Sequence, residues 1–123
     1  MLYKNFTVAN LVGKTLSSVD YDGDAVILFN TTDGDTYKMY HKQECCEAVS
    51  VDDICGDLQD IVGSVILVAE EVSNMETPKT NIIARDSETW TFYKIDTAKG
   101  GVTIRWYGSS NGYYSEGVDF CRM

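Results

Sequence analysis

Apolar residues recur at every second position over much of the chain, the spacing that places them on one face of a β-strand. Leu16, Val19 and Tyr21 open a first, loosely alternating segment. Ala25–Phe29 (AVILF) is a second, and Thr36–His41 (TYKMYH) alternates cleanly. Asp22-Gly23 and Asp33-Gly34 separate them, dipeptides suited to tight hairpin turns. Together these segments predict a β-meander.

The middle of the chain is less regular. A strand is expected from about Cys46 to Asp53, then one helical turn from Asp57-Leu58 to Ile61-Val62, closed by Gly63. Ser64–Val72 predicts another strand, apolar throughout its first half and so suited to burial on both faces. Residues 73–88 are polar, contain the only Pro, and predict a loop with a short extended piece at Ile82-Ile83. Three more strands follow, Glu88–Ile95, Val102–Gly108 and Tyr113–Phe120, with turns at Lys99-Gly100-Gly101 and Ser110-Asn111-Gly112. Ahead of all of them, Phe6, Leu11 and Val12 form one apolar stripe of a short helix that Gly13 would end.

The expected class is α+β: a mostly antiparallel sheet of about seven to eight strands in hairpins and a meander, with one or two short helices. Eight strands in one open sheet leave long edges, so two packed sheets or a partly closed barrel are alternatives. A length of 123 residues fits a single domain. With 44% hydrophobic and 24% charged residues, the composition is globular rather than disordered. No apolar run approaches the ~18 residues that span a bilayer, and the opening MLYKNFTVANLVG has no basic segment before an apolar core. A soluble protein without a secretory leader or membrane contact is expected.

Charge changes this picture more than composition does. The net charge is −9, opposite in sign to what a grip on nucleic-acid phosphates requires, so direct nucleic-acid binding is not expected. Glu44, Glu47, Asp52, Asp53, Asp57, Asp60, Glu70, Glu71 and Glu76 fall in one stretch without a Lys or Arg, and the remainder of the chain balances ten acids against ten bases. This stretch reads as a solvated acidic face, or as a surface for a basic partner.

Catalytic constellations are nearly absent. His41 is the only histidine, four residues from Cys45, a distance that strands do not fold back across, so no Cys/His or Ser/His/Asp scheme is expected. Phosphate-cradling glycine motifs and H-E-x-x-H are missing. No enzyme activity, catalytic residue or cofactor is predicted. Cys45 and Cys46 are adjacent, and on a strand would point to opposite faces. With Cys55 and Cys121 they are expected as reduced, buried or half-buried thiols. His41, Cys45 or Cys46, and Cys55 match no zinc spacing, because C-x-x-C pairs are lacking, so no metal is expected.

The C-terminal segments carry the most suggestive chemistry. A three-residue loop Ser110-Asn111-Gly112 pairs Ser109 with Tyr113 and Arg105 with Gly117 in a hairpin. Val102, Ile104 and Trp106 then share the core side with Tyr114, Glu116, Val118 and Phe120. Thr103, Arg105, Tyr107, Tyr113, Ser115 and Asp119 face outward. An arginine fork beside flat aromatic rings suits a small anionic ligand, with Arg105, Tyr107, Tyr113, Ser115 and Asn111 as the candidate site. The alternative is a solvent-facing strand whose aromatics merely favour the sheet.

The runs YKMYHKQECCEAVSVDDICGDLQDIVGSVILVAEEVS and TWTFYKIDTAKGGVTIRWYGSSNGYYSEGVDF resemble a family of small proteins found mainly in tailed phages and prophages and known only as a domain of unknown function. The H-x-x-x-C-C-E, G-D-L and R-W-Y-G-x-S-N-G-Y-Y-S runs carry the resemblance. It implies a protein made in the cytoplasm of an infected bacterium, and brings no catalytic residue. By analogy of setting, it implies a non-enzymatic protein that counters host defence. One reading is a sponge for a small anionic, nucleotide-type signal, bound at the Arg105 site, which a homodimer could complete. The other is an acidic protein that inhibits a basic host defence protein, such as a nuclease effector, through Glu44, Glu47, Asp52, Asp53, Asp57, Asp60, Glu70 and Glu71.

Overall fold

The structure is a computed structural model that describes residues 6–76, 87–110 and 115–123. Among the described residues are eight strands: β1 Leu16–Tyr21, β2 Val26–Thr31, β3 Thr36–Tyr40, β4 Ala48–Cys55, β5 Ile66–Glu76, β6 Ser87–Thr97, β7 Gly101–Ser110 and β8 Asp119–Arg122. They form two four-stranded antiparallel sheets, β1-β2-β3-β8 and β4-β7-β6-β5. Among the described residues, helical content is confined to two four-residue 3-10 turns, Val8–Leu11 and Leu58–Ile61. The fold is therefore β-rich, and of the architectures compatible with the alternation it takes the two-sheet form. No helix is long and apolar enough to cross a membrane, among the described residues.

Alternation gives each strand one inward face. In β2 and β3, Ile27 pairs with Met39 and Phe29 with Tyr37, and all four are buried. The turn before β2 is built on Asp22, whose Oδ1 accepts from the amides of Asp24 (2.8 Å), Ala25 (2.9 Å) and Val26 (3.1 Å). Gly23 supplies the φ of 86° that a side chain would resist. In β7, Val102, Ile104 and Trp106 point inward, as their spacing predicts. One core cluster draws on both sheets and on Val8, Leu11 and Ile61 of the 3-10 turns. Each such Ile, Leu or Phe contributes about 1.5–3 kcal/mol on burial. The sheets are also stitched through the backbone: Gly13 N donates to Ile66 O and Ile66 N to Lys14 O, both at 2.8 Å.

Three expectations are corrected. First, β7 and β8 do not form a hairpin. β7 lies between β4 and β6, and β8 crosses to the other sheet to pair with β3, Tyr40 opposite Asp119. Arg105 accordingly faces Asp53 and Phe92 in the ladders rather than Gly117. Phe120 and Glu116 are nonetheless buried, as expected from the inward side. The physical cause is that residues 115–118 are not a strand, so the alternation there does not extend β8. Second, β5 and β6 run further than expected, to Glu76 and from Ser87; Ile82-Ile83 lies outside the described residues. Third, the cysteine pair is not two free thiols. Cys45 and Cys46 lie in a bend ahead of β4 instead of on the strand, and a disulfide joins them. The bend turns both side chains to one side, which a strand would not. Cys55 and Cys121 are free, the first exposed and the second half-buried.

Candidate binding face on the second sheet

The two surfaces singled out in the sequence meet at one ion pair. Arg105, on the outer face of β7, contacts Asp52 Oδ2 through Nε at 2.7 Å and Nη2 at 2.5 Å. Asp52 reaches it because β4 carries a bulge between Val51 and Asp53, which breaks the pairing register there. The guanidinium also lies 5.3 Å from the Trp90 ring centroid. Trp90 is directly opposite Tyr107 in the β6–β7 ladder, with ring centroids 4.5 Å apart. The Tyr107 hydroxyl donates to Glu88 at 2.6 Å. That bond, with partial burial, raises the phenol above its ordinary pKa. Phe92 faces Arg105 across the same ladder and Val72 on β5, and Lys94 faces Glu70. The outer face of this sheet is thus an aromatic strip, Trp90, Phe92 and Tyr107, with Arg105 at its centre and carboxylates around it.

Of the predicted ligand residues, the structure brings Arg105 and Tyr107 together. Ser115 is used locally, its Oγ accepting from Gly117 N at 3.2 Å. Asn111 and Tyr113 lie outside the described residues. Trp90 and Glu88 were not anticipated, although the two-residue period of ETWTFYKI, folded back at Lys99-Gly100-Gly101, places both beside Tyr107.

Of the predicted acidic surface, Glu44, Asp52, Asp53, Asp57, Asp60, Glu70 and Glu71 are exposed, while Glu47 is not. Glu47 is corrected from surface group to buried clasp. Its Oε2 accepts from Glu44 N at 2.8 Å and lies 2.7 Å from His41 Nε2; its Oε1 accepts from Cys45 N at 2.9 Å. Burial pushes the carboxyl up, but the bonds from His41 and the two amides outweigh it and hold Glu47 at a pKa of about 2. The other ring nitrogen of His41, Nδ1, lies 2.7 Å from the Gly117 carbonyl oxygen. His41 is therefore a structural tie between the β3–β4 link and the segment leading to β8. A second buried carboxylate immediately precedes Gly117: Glu116 accepts from Thr89 Oγ1 at 2.6 Å and from Ser110 Oγ.

A shallow concavity of about 590 Å3 lies between β1 and the corner after β4, lined by Val19, Tyr21, Ile54 and Leu58 with Asp20 and Asp57. It offers carboxylates and no cation to a ligand. Among the described residues, no group of three or more His, Cys, Asp or Glu side chains is arranged to hold a metal ion.

A family model described as Domain of unknown function (DUF7448) matches residues 9–120. No curated protein and no solved structure matches the chain.

Proposed function

Since the chain belongs to the DUF7448 family, a domain of unknown function, its surface has to supply the reading, and we propose that it is a non-enzymatic interaction protein that engages a basic protein partner. The binding surface is the aromatic strip of the second sheet together with the acids that border it. The observation that carries this reading is the Arg105–Asp52 pair. Asp52 occupies the guanidinium fork that a phosphate or carboxylate would need. Asp53, Glu70 and Glu88 add charge around it, against Lys94. The field is negative, so it draws in a cationic surface and repels a free anion. Trp90, Phe92 and Tyr107 supply the aromatic anchors that dominate affinity at protein interfaces. In the phage setting that the sequence runs suggest, the partner is a basic host defence protein, such as a nuclease, whose nucleic-acid-binding face the acids would occupy. The site of action is then the bacterial cytoplasm.

One feature favours a second reading. Arg105 lies over Trp90 beside Tyr107, an arrangement that would hold a nucleotide base and phosphate were Asp52 to swing away. One set of variants separates the two. A tagged protein is used to isolate its partner from infected cells, and the purified pair is titrated against salt. The interaction reading expects a basic partner, affinity that falls steeply with salt, and loss of binding in Trp90→Ala and in Asp52→Asn/Asp53→Asn. The nucleotide reading expects thermal stabilisation by a nucleotide panel, about 2.7 kcal/mol at a hundredfold excess over Kd. It also expects Asp52→Asn, by freeing Arg105, to tighten nucleotide binding. Stabilisation by nucleotides without a basic partner would replace the first reading with the second.

A further inference from the structure

We propose that Cys45 and Cys46 form a reversible two-electron redox site, opened by dithiol reductants, and that the Glu47–His41 clasp beneath it passes its state to residues 115–118. The inference stands apart from the binding reading above and uses none of its residues.

Both cysteines are exposed in the bend before β4, and a disulfide joins them. A bridge between neighbours in sequence closes almost no chain. The loop entropy through which a disulfide stabilises a fold is therefore nearly absent here. An exposed bridge that does so little for the fold is open to thiol exchange. Beneath it, one carboxylate grips the bend: Glu47 accepts from the amides of Glu44 (2.8 Å) and Cys45 (2.9 Å). The same carboxylate contacts His41 Nε2, and His41 Nδ1 contacts Gly117 O, each at 2.7 Å. The side chains of His41 and Glu47 are 3% and 0% exposed, so water does not compete for these bonds. A change in the 44–46 backbone is thereby tied through two side chains to Gly117.

The chemistry balances without a cofactor. To open the site, a thiolate of the dithiol reductant attacks one of the two sulfurs and the other leaves as a thiolate. The second thiol of the reductant then attacks the mixed disulfide and departs with its partner as a new disulfide. Cys45 and Cys46 end with two added protons and two added electrons. To close it, a diazene oxidant takes two protons and two electrons from the pair and becomes the hydrazine. In the open state the two side chains separate, the Glu44–Cys45 peptide is free to turn, and the grip of Glu47 loosens.

The test uses the full chain, oxidised with diamide or reduced with dithiothreitol, then denatured and alkylated. Two alkyl groups are expected after diamide, on Cys55 and Cys121, and four after reduction. Four in both states, or a lost pair that includes Cys55 or Cys121, would overturn the site. The reduced pair should take up one phenylarsine oxide with loss of one water, and Cys45→Ser should take up none; equal uptake by the two proteins would also overturn it. Hydrogen exchange then reads the coupling. Peptides spanning 42–47 and 115–118 should exchange roughly tenfold faster in the reduced protein, with the strands of the second sheet unchanged. Cys45→Ser/Cys46→Ser, which cannot close, should match the reduced protein after diamide. Identical exchange at 115–118 in both states would remove the coupling and leave a redox site alone.

Discussion

Trp106 donates its indole N–H to the sulfur of Met39 at 3.2 Å, and this contact joins the two sheets across the core. Both residues are buried, at 1% and 0% exposure, so water offers the indole no substitute. Met39→Leu preserves volume, a change that by packing alone costs less than about 1.5 kcal/mol. It also strands a buried donor, which adds about 1–3 kcal/mol. In a Trp106→Phe background that second cost should vanish. Urea denaturation of the two single variants and the double variant measures the difference. Equal losses from Met39→Leu in both backgrounds would show that the sulfur does not matter to the indole.

Gly108 is a point of close approach. A Cβ there would stand 2.8 Å from Glu116 O, 2.9 Å from Glu116 Cβ and 3.2 Å from a Val49 methyl. Gly108→Ala is expected to lower stability by about 1–3 kcal/mol, the usual result of overpacking. Gly117→Ala, which would meet only Ser115 Oγ at 3.5 Å, serves as the matched control with little effect. Denaturant midpoints of the two proteins decide the matter.

Acid should act on Glu47. Its folded pKa of about 2 lies below the ordinary 4.5, so the folded state holds the carboxylate more strongly than the unfolded chain does. The stability this contributes is present above pH 4.5 and drains away as the pH falls from 4.5 towards 2. Glu47→Gln should be less stable at neutral pH and should lose less than the wild type over that interval. Urea midpoints measured from pH 7 down to 2.5 test this, and parallel curves for the two proteins would contradict it.

The Arg105–Asp52 pair should matter modestly to stability. Both side chains are partly exposed, at 41% and 34%, and such pairs are worth at most about 1 kcal/mol. Contact with Trp90 adds a little. Arg105→Ala should therefore cost about 1 kcal/mol and leave the fold intact, while Arg105→Lys recovers only part of it, because one ammonium does not reproduce the fork. Thermal melts with near-ultraviolet circular dichroism, sensitive to Trp90, follow both effects.

Much of the strand set was legible because one physical rule wrote it. Ile27 and Phe29, Tyr37 and Met39, Tyr93 and Ile95, Ile104 and Trp106 are two apart and buried, so alternation alone locates β2, β3, β6 and β7. Partner choice obeys no local rule. Tyr113–Phe120 follows β7 after a turn signal, and nothing in its spacing says that Phe120 belongs against Phe29 and Tyr37 of the other sheet. The site was legible in part for a related reason. Arg105 and Tyr107 share a strand, so their common face could be read. Asp52 is 53 positions away from Arg105 and reaches it by way of a bulge that breaks the period. Glu47 looked like one more acid in an acidic run, since only the folded bend brings the amides of Glu44 and Cys45 and the His41 ring around it.

The exchange of strands between sheets has a bearing on how the chain is assembled. The second sheet is built from consecutive strands, β4 to β7, in the order β4-β7-β6-β5, so that β4 pairs with β7 across the intervening β5 and β6. The first sheet holds β1 to β3 in a meander, yet its open side at β3 is filled by β8, which follows the whole of the second sheet. On a ribosome, β1 to β3 emerge with Phe29 and Tyr37 still without the Phe120 ring that packs on both, until it leaves the exit tunnel. Closure over so long a stretch of chain is slow, because its entropy is lost before the contacts form. The β3 edge is then open to the wrong neighbour for most of synthesis, and the polar Lys38 and Thr36 on that strand stand among the groups that discourage such pairing in the interval.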